Sequence, residues 1–496
     1  MEDKIVFNHF YKLKHDLKRC YIISANSGGN FNIKVHHGLM SRVHPVYAMI
    51  FSFFSKPIFL DEAIEEISFF LDMPEEEVGN FVRGLIGNEE FQSSKSKDDT
   101  FNTFPPNILI KEKDAFREEV LYTPTQFAYK ELDLKQERLY SSPIGILLMV
   151  NNTCATECCY CYADKKTKPN LLSFDRIKTI IKNAYEANVI EFIFTGGEVL
   201  LYKQWKELIQ ELMNYGYDVP LISTKLPIKE ADIDFLKKNN ISIQVSLDSL
   251  NSTELYKILN VSLDYCDKMK QTIALLDQKG VPFQVATVVT NHNDKIETLE
   301  ELYRFLSNFK NLRRWEVRVA FRSLHSREEF DEIKISRDSE QKINEWIQEK
   351  KENTDMNILW SSSFKNDRYF KSEGGSRNFV GARCSANFSH MVSMPDGKVT
   401  LCEQLYWNPR FIIGDLSTQS IEEVWNSPRA LELAFPKKNN FRNESACKKC
   451  SIFDTCYTFH NKCYADVLKA YGDENWDYPD PRCNYAPPFI HDLLTH

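Results

Sequence analysis

The stretch that decides the fold is residues 144–161, which read IGILLMVNNTCATECCYC. An apolar run of strand length, 144–150, leads directly into three cysteines with the spacing Cys154-x3-Cys158-x2-Cys161. Three thiolates on one tight loop suit a cubic iron–sulfur cluster, whose fourth iron would then have no protein ligand. A structural zinc site would need a fourth ligand, and the loop offers none nearby. A coincidental cysteine run or a zinc knuckle is the alternative.

Outward from this loop, residues 140–345 alternate between strand-like and helix-like patterns. Apolar runs of strand length follow the first one, with amphipathic segments between them. Six βα units of this kind predict an α/β domain with a parallel sheet, open or curled into a partial barrel. In such folds the chemistry lies at the C-terminal ends of the strands. The later runs are Val189–Phe194, Val219–Ser223, Ile241–Leu247, Phe283–Thr290 and Trp315–Val319.

The second of these strands ends in Gly196-Gly197-Glu198. A glycine pair after a strand lets a ligand approach the backbone closely. A lone pair would more often be an ordinary turn. The chain has only 17 glycines, however, and this pair falls at a strand end in the same predicted sheet as the cysteine loop.

The cysteine loop, the aromatic Tyr160 before its last cysteine, and Gly-Gly-Glu after the second strand together resemble the radical SAM superfamily. The resemblance covers residues 140–345 and implies a TIM-like partial barrel of about six βα units. It implies a [4Fe–4S] cluster on Cys154, Cys158 and Cys161, with S-adenosylmethionine chelating the open iron. One electron would cleave the cofactor to a 5′-deoxyadenosyl radical, which removes a substrate hydrogen.

The same resemblance implies which residues contact S-adenosylmethionine. Gly196, Gly197 and Glu198 match the segment that holds the methionyl amine, and Tyr160 matches the aromatic beside the adenine. Cys159 fits neither cysteine spacing and is interpreted as a bystander. The resemblance assigns no catalytic acid or base. Ser246 and Asp248 match positions that contact the ribose and methionine portion of the cofactor, and an ordinary polar turn is the alternative for these two residues. The remaining implied contacts are Thr224, Thr290 and Asn291, which lie at other strand ends.

The C-terminal section, residues 375–496, holds seven of the 13 cysteines. It contains the series Cys-x12-Gly-x4-Cys, the run Cys-x2-Cys-x5-Cys and two outlying cysteines, with a hairpin turn at Pro395-Asp396-Gly397. This series resembles a SPASM domain, which carries up to two auxiliary [4Fe–4S] clusters. The resemblance implies a first cluster on Cys384, Cys402 and Cys463, and a second on Cys447, Cys450, Cys456 and Cys483.

The cysteine series departs from that domain in two places. Family members commonly have three residues between the third and fourth cysteines of the later run, whereas six separate Cys456 from Cys463 here. The extra cysteine that usually lies just upstream of Cys384 is also missing. The first auxiliary cluster therefore has an open iron or a non-cysteine ligand, or is absent, and an open iron would suit a substrate thiolate. A zinc ribbon over Cys447–Cys463 is the alternative.

The first section, residues 1–105, is interpreted as a small winged-helix-like α+β module. Its sequence predicts a strand at Tyr21–Ala25, a turn over 26–30 and a half-buried strand at Phe31–Val35. Helical patterns follow, one of them with Asp61 as its predicted cap and another opened by Pro74.

A hairpin with helices ahead of a SPASM-type radical enzyme resembles the recognition element of enzymes that modify ribosomally made peptides. Such an element binds a leader peptide as an added strand on a sheet edge. The candidate edge is Phe31–His36, with the helix His44–Phe54 as the second wall, and a generic structural cap is the alternative. The polar stretch Gln92–Pro106 predicts a linker, which residues 106–139 continue.

Composition and charge exclude several classes of protein. The net charge of −8 argues against nucleic-acid binding through a broad basic face. The N-terminus has no apolar signal region, and Val46–Phe54 is too short to span a bilayer, so a cytoplasmic protein without a membrane partner is expected. In that reducing compartment, clustered cysteines indicate metal ligation rather than disulfides.

These inferences combine into one functional hypothesis. The chain is expected to bind the leader of a precursor peptide and to install thioether or carbon–carbon cross-links in its core. A flavodoxin or ferredoxin is the expected electron donor. The alternatives are a SPASM enzyme that modifies a folded protein, as sulfatase-maturing enzymes do, and a non-catalytic iron–sulfur or zinc peptide-binding protein.

Overall fold

The computed structural model describes residues 3–24, 33–95, 101–115, 120–164, 166–325, 330–361, 384–458, 460–491 and 493. The chain forms two compact units. The first comprises residues 1–144 with 183–191 and 216–218, and the second comprises residues 145–182, 192–215 and 219–496.

The first unit is built from short strands and three helices around one apolar core. Its main sheet is antiparallel, with the order β2-β3-β4, and all five residues of the central strand β3 are buried. The elements are β1 (Ile5–Phe7), β2 (Tyr11–His15), β3 (Cys20–Ser24), β4 (Met40–Val43), α1 (Pro45–Ser52), α2 (Leu60–Leu71), α3 (Glu75–Arg83), β5 (Gln92–Lys95), β6 (Phe101–Phe104) and β7 (Leu109–Lys111).

The strand expected at Phe31–Val35 is a wrong prediction. The partner of β3 is β4, with Cys20 opposite Val43, while residues 33–36 belong to no strand. Side chains bind the backbone of this segment instead: Asn107 donates to the Lys34 carbonyl oxygen (2.9 Å). The predicted turn over 26–30 and residues 31–32 lie outside the described residues.

The linker expected at Gln92–Pro106 is also a wrong prediction, because β5 and β6 pair as an antiparallel hairpin. Buried residues stabilise it: Phe104 lies in the core, and the Asn102 side chain accepts a hydrogen bond from the His44 N–H (2.8 Å). Farther along, β7 pairs with β1, so the segment 106–139 contributes a strand to the first unit.

The two predicted helix starts differ in outcome. Pro74 precedes α3 directly, as predicted. The cap residue of α2 is Phe59, which makes no side-chain cap hydrogen bond, so the prediction for Asp61 is wrong. Asp61 lies in the first turn of α2 instead, where a carboxylate faces the positive end of the helix dipole.

The second unit alternates strands and helices over its first part and ends in short elements. Its strands are β8 (Gly145–Met149), β9 (Glu191–Thr195), β10 (Ile222–Thr224), β11 (Ile243–Ser246), β12 (Phe283–Val289), β13 (Leu312–Val319), β14 (Ile358–Ser361), β15 (His390–Ser393), β16 (Lys398–Thr400) and β17 (Ile412–Asp415). Its helices are α4 (Phe174–Glu186), α5 (Trp205–Asn214), α6 (Glu230–Lys238), α7 (Ser252–Leu259), α8 (Tyr265–Gln278), α9 (Ile296–Leu306), α10 (Phe330–Ile333), α11 (Arg337–Glu352), α12 (Ile421–Trp425), α13 (Pro428–Ala434), α14 (Phe453–Thr458) and α15 (Tyr464–Tyr471).

Two sheets organise this unit. Strands β10 to β14 form a parallel sheet in sequence order, and β8 and β9 lie in a second sheet with the order β17-β16-β15-β8-β9. Parallel strands with helical crossovers confirm the α/β class. The C-terminal ends of the strands therefore remain the expected place for chemistry.

The C-terminal section joins the second sheet directly. β15 pairs in parallel with β8, and β15 and β16 form the hairpin expected around Pro395-Asp396-Gly397. Gly397 has a φ of +91°, a conformation that L side chains rarely adopt. The cysteine-bearing C-terminal section thus begins on the strand next to the one that carries the cysteine loop.

Candidate functional site

The cysteine loop and the Gly-Gly-Glu segment follow neighbouring strands, β8 and β9, and hydrogen bonds join them. The Gly197 N–H donates to the Asn151 carbonyl oxygen (3.1 Å), and the Glu198 N–H donates to the Thr153 carbonyl oxygen (2.7 Å). The Asn151 amide donates in turn to the Glu198 carbonyl oxygen (3.0 Å). The two motifs therefore form one structural element at the ends of these strands.

Both glycines are required where the two segments meet. Gly196 has a φ of +101°, and a Cβ atom there would lie 2.8 Å from the Met149 Cε atom. A Cβ atom on Gly197 would lie 2.3 Å from the Thr153 carbonyl oxygen. Since backbone atoms cannot move aside as a side chain can, only glycine fits position 197 without displacing the cysteine loop.

Glu198 directs its carboxylate into the protein, where only 3% of the residue is exposed. Its Oε2 atom accepts a hydrogen bond from the Lys225 N–H (2.9 Å), and Oε1 accepts one from the Leu200 N–H (3.3 Å). Burial raises the pKa of this carboxyl. The neighbouring Thr224 is buried at the end of β10. A carboxylate has about four acceptor positions, so capacity remains for the ammonium group of a ligand.

Tyr160 and Asp248, both sequence-predicted, are in direct contact. The Tyr160 hydroxyl donates to Asp248 Oδ2 (2.6 Å), and Oδ1 accepts from the Val288 N–H (2.8 Å). Burial raises the pKa of the Asp248 carboxyl, and the positive charge of Lys225 opposes that rise. The Lys225 ammonium lies 5.7 Å from the centre of the Tyr160 ring. Asp248, at the end of β11, is thus the buried member of this polar group, and Tyr160 and Lys225 are half-buried.

The other predicted cofactor contacts near β11 and β12 divide into two groups. The Thr290 hydroxyl donates to Asn293 Oδ1 (3.1 Å), and the Asn293 amide donates to the Asp248 carbonyl oxygen (2.7 Å). Ser246 is buried at the end of β11. Asn291 is exposed, and its amide donates to a backbone carbonyl of α10 (2.7 Å). Asn293, which the sequence did not predict, therefore joins Thr290 to the Asp248 loop. The Asn291 side chain instead binds α10.

One hydroxyl lies between two of the loop sulfurs. Thr156 Oγ1 is 3.9 Å from Cys154 Sγ and 3.2 Å from Cys158 Sγ, while the Ala163 N–H approaches the third sulfur at 3.4 Å. Burial raises the pKa of the Cys158 thiol, and Lys225 opposes that rise. Lys225 and Thr156 belong to no motif. The sequence feature that could have identified Lys225 is its position directly after the C-terminal end of a parallel strand, β10.

The donor set fits a four-iron cluster rather than a single metal ion. Within the described ranges, no three His, Cys, Asp or Glu side chains converge on a position for one metal ion. Thiolates of a cubic cluster are farther apart, because each binds a different iron. Three cysteines on one loop, beside a glycine pair that admits a ligand to the backbone, suit such a cluster with S-adenosylmethionine.

Three C-terminal cysteines line one cavity: Cys384, Cys402 and Cys463. Burial raises the pKa of each of these thiols, and the charge of Cys384 raises the pKa values of the other two further. The Cys463 N–H donates to an Asp480 carboxylate oxygen (2.7 Å), and the same carboxylate pairs with Arg482 (2.7 Å). The three cysteines implied for the first auxiliary cluster are therefore together.

The other four C-terminal cysteines form a second group. Burial raises the pKa of the Cys456 thiol to about 12, and the charges of Cys447, Cys483 and Cys450 add to the rise. Burial also raises the pKa of the Cys447 thiol, and the buried Lys462 ammonium opposes that rise. A positive charge near Cys447 and Cys456 favours the ionised form of these thiols.

The remaining cysteines include two that belong to the apolar core. Cys20 and Cys266 are both buried. The Cys266 thiol donates to the Leu250 carbonyl oxygen (3.2 Å). Cys159 packs against the apolar cluster around Phe330, and its role as a bystander stays a prediction.

Two matches to protein families cover this site. Residues 148–306 match the radical SAM superfamily, and residues 384–451 match the SPASM iron–sulfur cluster-binding domain. Their bounds contain the cysteine loop, the Gly-Gly-Glu segment and the first cysteines of the C-terminal section. Within the described residues, no helix is long and apolar enough to cross a membrane.

Two curated relatives each match part of the chain. The sporulation killing factor maturation protein SkfB of Bacillus subtilis is 27% identical over 206 residues, which are 39% of this chain and 50% of SkfB. An uncharacterized protein of Methanocaldococcus jannaschii is 30% identical over 171 residues, 33% of this chain and 58% of that protein. The chain thus spans about half the length of the curated relatives it matches.

A solved structure matches nearly the whole chain. SuiB of Streptococcus suis, in its crystal structure bound to the precursor peptide SuiA, has a TM-score of 0.64 and 15% sequence identity. The match covers 97% of this chain and 100% of that chain. At this identity the likeness concerns the fold.

Proposed function

We propose that this chain, a radical SAM enzyme with a C-terminal SPASM domain, matures a ribosomally made precursor peptide by forming cross-links within it. Its cofactors are a [4Fe–4S] cluster with S-adenosylmethionine and one or two auxiliary [4Fe–4S] clusters. The observation that carries the proposal is the presence, in one chain, of the cysteine loop bonded to Gly-Gly-Glu and of an N-terminal unit in which, among the described residues, one edge of β5 has no strand partner.

The relatives support a peptide as the substrate. SkfB is a maturation protein for a sporulation killing factor, and SuiB was crystallised with a precursor peptide. The fold shared with SuiB extends over nearly all of this chain, including its N-terminal unit. A peptide substrate therefore explains why a radical SAM domain is joined to that unit.

The hairpin β5–β6 is the proposed site for the leader of that peptide. In the described part of the chain β5 pairs only with β6, so its other edge has no strand partner. Such an edge can accept an added strand through backbone hydrogen bonds. α1 lies beside it, since the Tyr47 hydroxyl is 2.8 Å from the Ser94 hydroxyl oxygen. We therefore place leader binding at β5 instead of at residues 31–36.

The chain's own residues would hold the cofactor and exclude water. When bound, the cluster and S-adenosylmethionine supply a radical that removes one hydrogen from the peptide. The Glu198 carboxylate, with acceptor capacity left, would receive the ammonium of the methionine portion. The half-buried Tyr160 and the buried Asp248 form a hydrogen-bonded polar pair nearby. Coupling the peptide radical to a cysteine thiolate would release one electron, and an auxiliary iron–sulfur cluster held by the C-terminal cysteines would accept it.

The same chemistry determines the proposed partners and location. Reduction of the cysteine-bound cluster needs a low-potential donor, and we propose a flavodoxin or ferredoxin. Thirteen cysteines without a disulfide among the described residues suit a reducing compartment, so we propose the cytoplasm.

Anaerobic reconstitution tests the proposal. The iron-loaded full chain would be incubated with reductant, S-adenosylmethionine and the peptide encoded beside its gene. We expect 5′-deoxyadenosine to form and the peptide to lose a pair of hydrogens for each cross-link, as measured by chromatography and mass spectrometry.

Alkylation of the product identifies the bond. A thioether would protect one peptide cysteine from iodoacetamide, whereas a carbon–carbon link would leave every cysteine reactive. Formation of 5′-deoxyadenosine with no mass change in any adjacent small peptide would contradict the maturase proposal while leaving the radical chemistry intact.

A further inference from the structure

A histidine shares the cavity of the first C-terminal cysteine group. His460 lines it together with Cys384, Cys402 and Cys463. Two hydrogen bonds join His460 to Cys384: the Cys384 N–H donates to the His460 carbonyl oxygen (3.0 Å), and His460 Nδ1 lies 3.1 Å from the Cys384 carbonyl oxygen. The imidazole is therefore fixed against the backbone of Cys384, one of the three cysteines that line the cavity.

These contacts determine which ring nitrogen is free. A carbonyl oxygen only accepts hydrogen bonds, so Nδ1 must carry the proton that it donates to Cys384. In neutral imidazole the other nitrogen, Nε2, then carries a lone pair. Nε2 is buried and has no hydrogen-bond partner among the described residues. A histidine that donates through one nitrogen to a backbone carbonyl and presents the other is oriented as metal-ligating histidines are.

We propose that His460, through Nε2, is the fourth protein ligand of the iron–sulfur cluster held by Cys384, Cys402 and Cys463. Imidazole nitrogen binds iron in iron–sulfur clusters of other proteins, where it raises the reduction potential. A buried nitrogen lone pair with no donor is costly, and binding to iron satisfies it. The cluster is then coordinated by three thiolates and one imidazole, with no iron open to substrate.

Other polar groups of the cavity fit this role less well. The Lys462 ammonium has no lone pair while it is protonated, and it lies beside the second cysteine group. The Tyr457 and Tyr464 phenols also line the cavity, but none of the usual cluster ligands is a phenol. The spacing in the sequence agrees with the assignment. Three residues separate Cys456 from His460, which is the separation that SPASM domains commonly have between the third and fourth cysteines of this run. His460 therefore occupies the position of that fourth cysteine.

The test uses the full chain with Cys154, Cys158 and Cys161 replaced by alanine, so that only the C-terminal clusters load. Two four-iron clusters should give about eight irons per chain. Pulsed electron paramagnetic resonance of the reduced protein, labelled with ¹⁵N-histidine, should show a strongly coupled histidine nitrogen. This readout needs neither precursor nor turnover, so its result is independent of the maturase proposal.

Variants at position 460 separate ligation from a structural role. His460→Cys should keep about eight irons, lose the nitrogen coupling and shift one cluster to a lower potential, because a thiolate replaces a neutral imidazole. His460→Ala should lose the coupling and up to about four irons. His491→Ala, a histidine of the same section that does not line the cavity, should change neither.

Three results would overturn the proposal. The first is strong nitrogen coupling that persists in His460→Cys. The second is a parent protein that loads both clusters without such coupling, or that loads only about four irons. The third is zinc bound at this position, since three cysteines and one histidine also make a common zinc site.

Discussion

At the scale of single residues, Gly197 gives the sharpest expectation. Because its added Cβ would meet backbone 2.3 Å away, Gly197→Ala must displace the cysteine loop. Overpacking of this kind costs about 1–3 kcal/mol, and about 1.4 kcal/mol is a tenfold change in affinity. We expect S-adenosylmethionine to bind about tenfold more weakly to the reconstituted protein, as measured by equilibrium dialysis. Gly84→Ala, where the nearest atoms are 3.5 Å away, is the control. Equal affinities in the two variants would refute the packing argument.

Asp248 predicts a pH dependence of stability. Burial raises the pKa of its carboxyl in the folded state above the ordinary value. Between those two pKa values the folded chain binds more protons than the unfolded chain, so the free energy of unfolding falls as pH rises through the folded-state pKa. Asp248→Asn cannot ionise, and we therefore expect it to lose less stability than the parent as the pH rises from 3.8, the ordinary pKa of an aspartate, through the raised folded-state pKa.

Urea unfolding at several pH values, followed by tryptophan fluorescence under anaerobic conditions, measures this difference. The matched control is Asp267→Asn, whose side chain is 76% exposed and which should follow the parent curve. Parallel curves for the parent and Asp248→Asn would show that burial of this carboxyl has no net effect on protonation.

Residues in fixed local spacing were predictable, and residues that meet only through the fold were not. The cysteine loop and Gly-Gly-Glu are each contiguous in sequence, and the strand pattern places both at neighbouring strand ends. Lys225, Asn293 and His460 have no such pattern, because each takes part through a hydrogen bond or charge from a separate loop. Counting cysteines left a non-cysteine ligand open for the first auxiliary cluster but did not point to His460.

At the scale of elements, the β5–β6 hairpin carries a prediction about leader binding. Phe101 is 64% exposed on β6, opposite Lys95 of the open strand. Exposed aromatics at a peptide-binding edge often contribute more than about 1 kcal/mol. Phe101→Ser should therefore weaken binding of a fluorescent leader peptide about tenfold, as measured by polarisation with the full chain.

Phe69 provides the matched control for that experiment. It is 92% exposed on α2, so Phe69→Ser removes an exposed ring of the same kind outside the hairpin. Unchanged leader affinity is expected for this variant. Equal weakening by both variants would indicate non-specific contact, and no weakening by Phe101→Ser would move the leader site away from the hairpin.

The errors at this scale have a common physical cause. Alternation at Phe31–Val35 and polarity at Gln92–Pro106 are local signals, while strand pairing depends on which segment buries its residues against the core. Asn102 and Phe104 are both buried, and the strand opposite β3 ends in the buried Val43. The core strands of the second unit were predictable because short strand-like runs that alternate with helical patterns are a repeated local signal, and β8 and β12 are in addition mostly buried.

At the scale of the whole molecule, the second unit contains every cysteine with a proposed ligand role. β15 pairs with β8, so the C-terminal section continues the sheet that carries the cysteine loop. Tyr162 is close enough to Cys161 and Cys402 for the charges of both to raise the pKa of its phenol, after the larger effect of burial. One cysteine proposed for the cofactor cluster and one proposed for the first auxiliary cluster therefore both lie near the half-buried Tyr162 ring.

The separation of the cysteine groups leads to a final prediction. Cys154→Ala should abolish formation of 5′-deoxyadenosine, because that cluster alone would bind S-adenosylmethionine. Cys447→Ala combined with Cys456→Ala should remove about four irons and stop cross-linking, yet leave cofactor cleavage measurable by chromatography. Cys159→Ala lies between two ligands of the loop and should keep both iron and cleavage. Cleavage that survives Cys154→Ala would refute the ligand assignment, and loss of iron in Cys159→Ala would make Cys159 a ligand in its place.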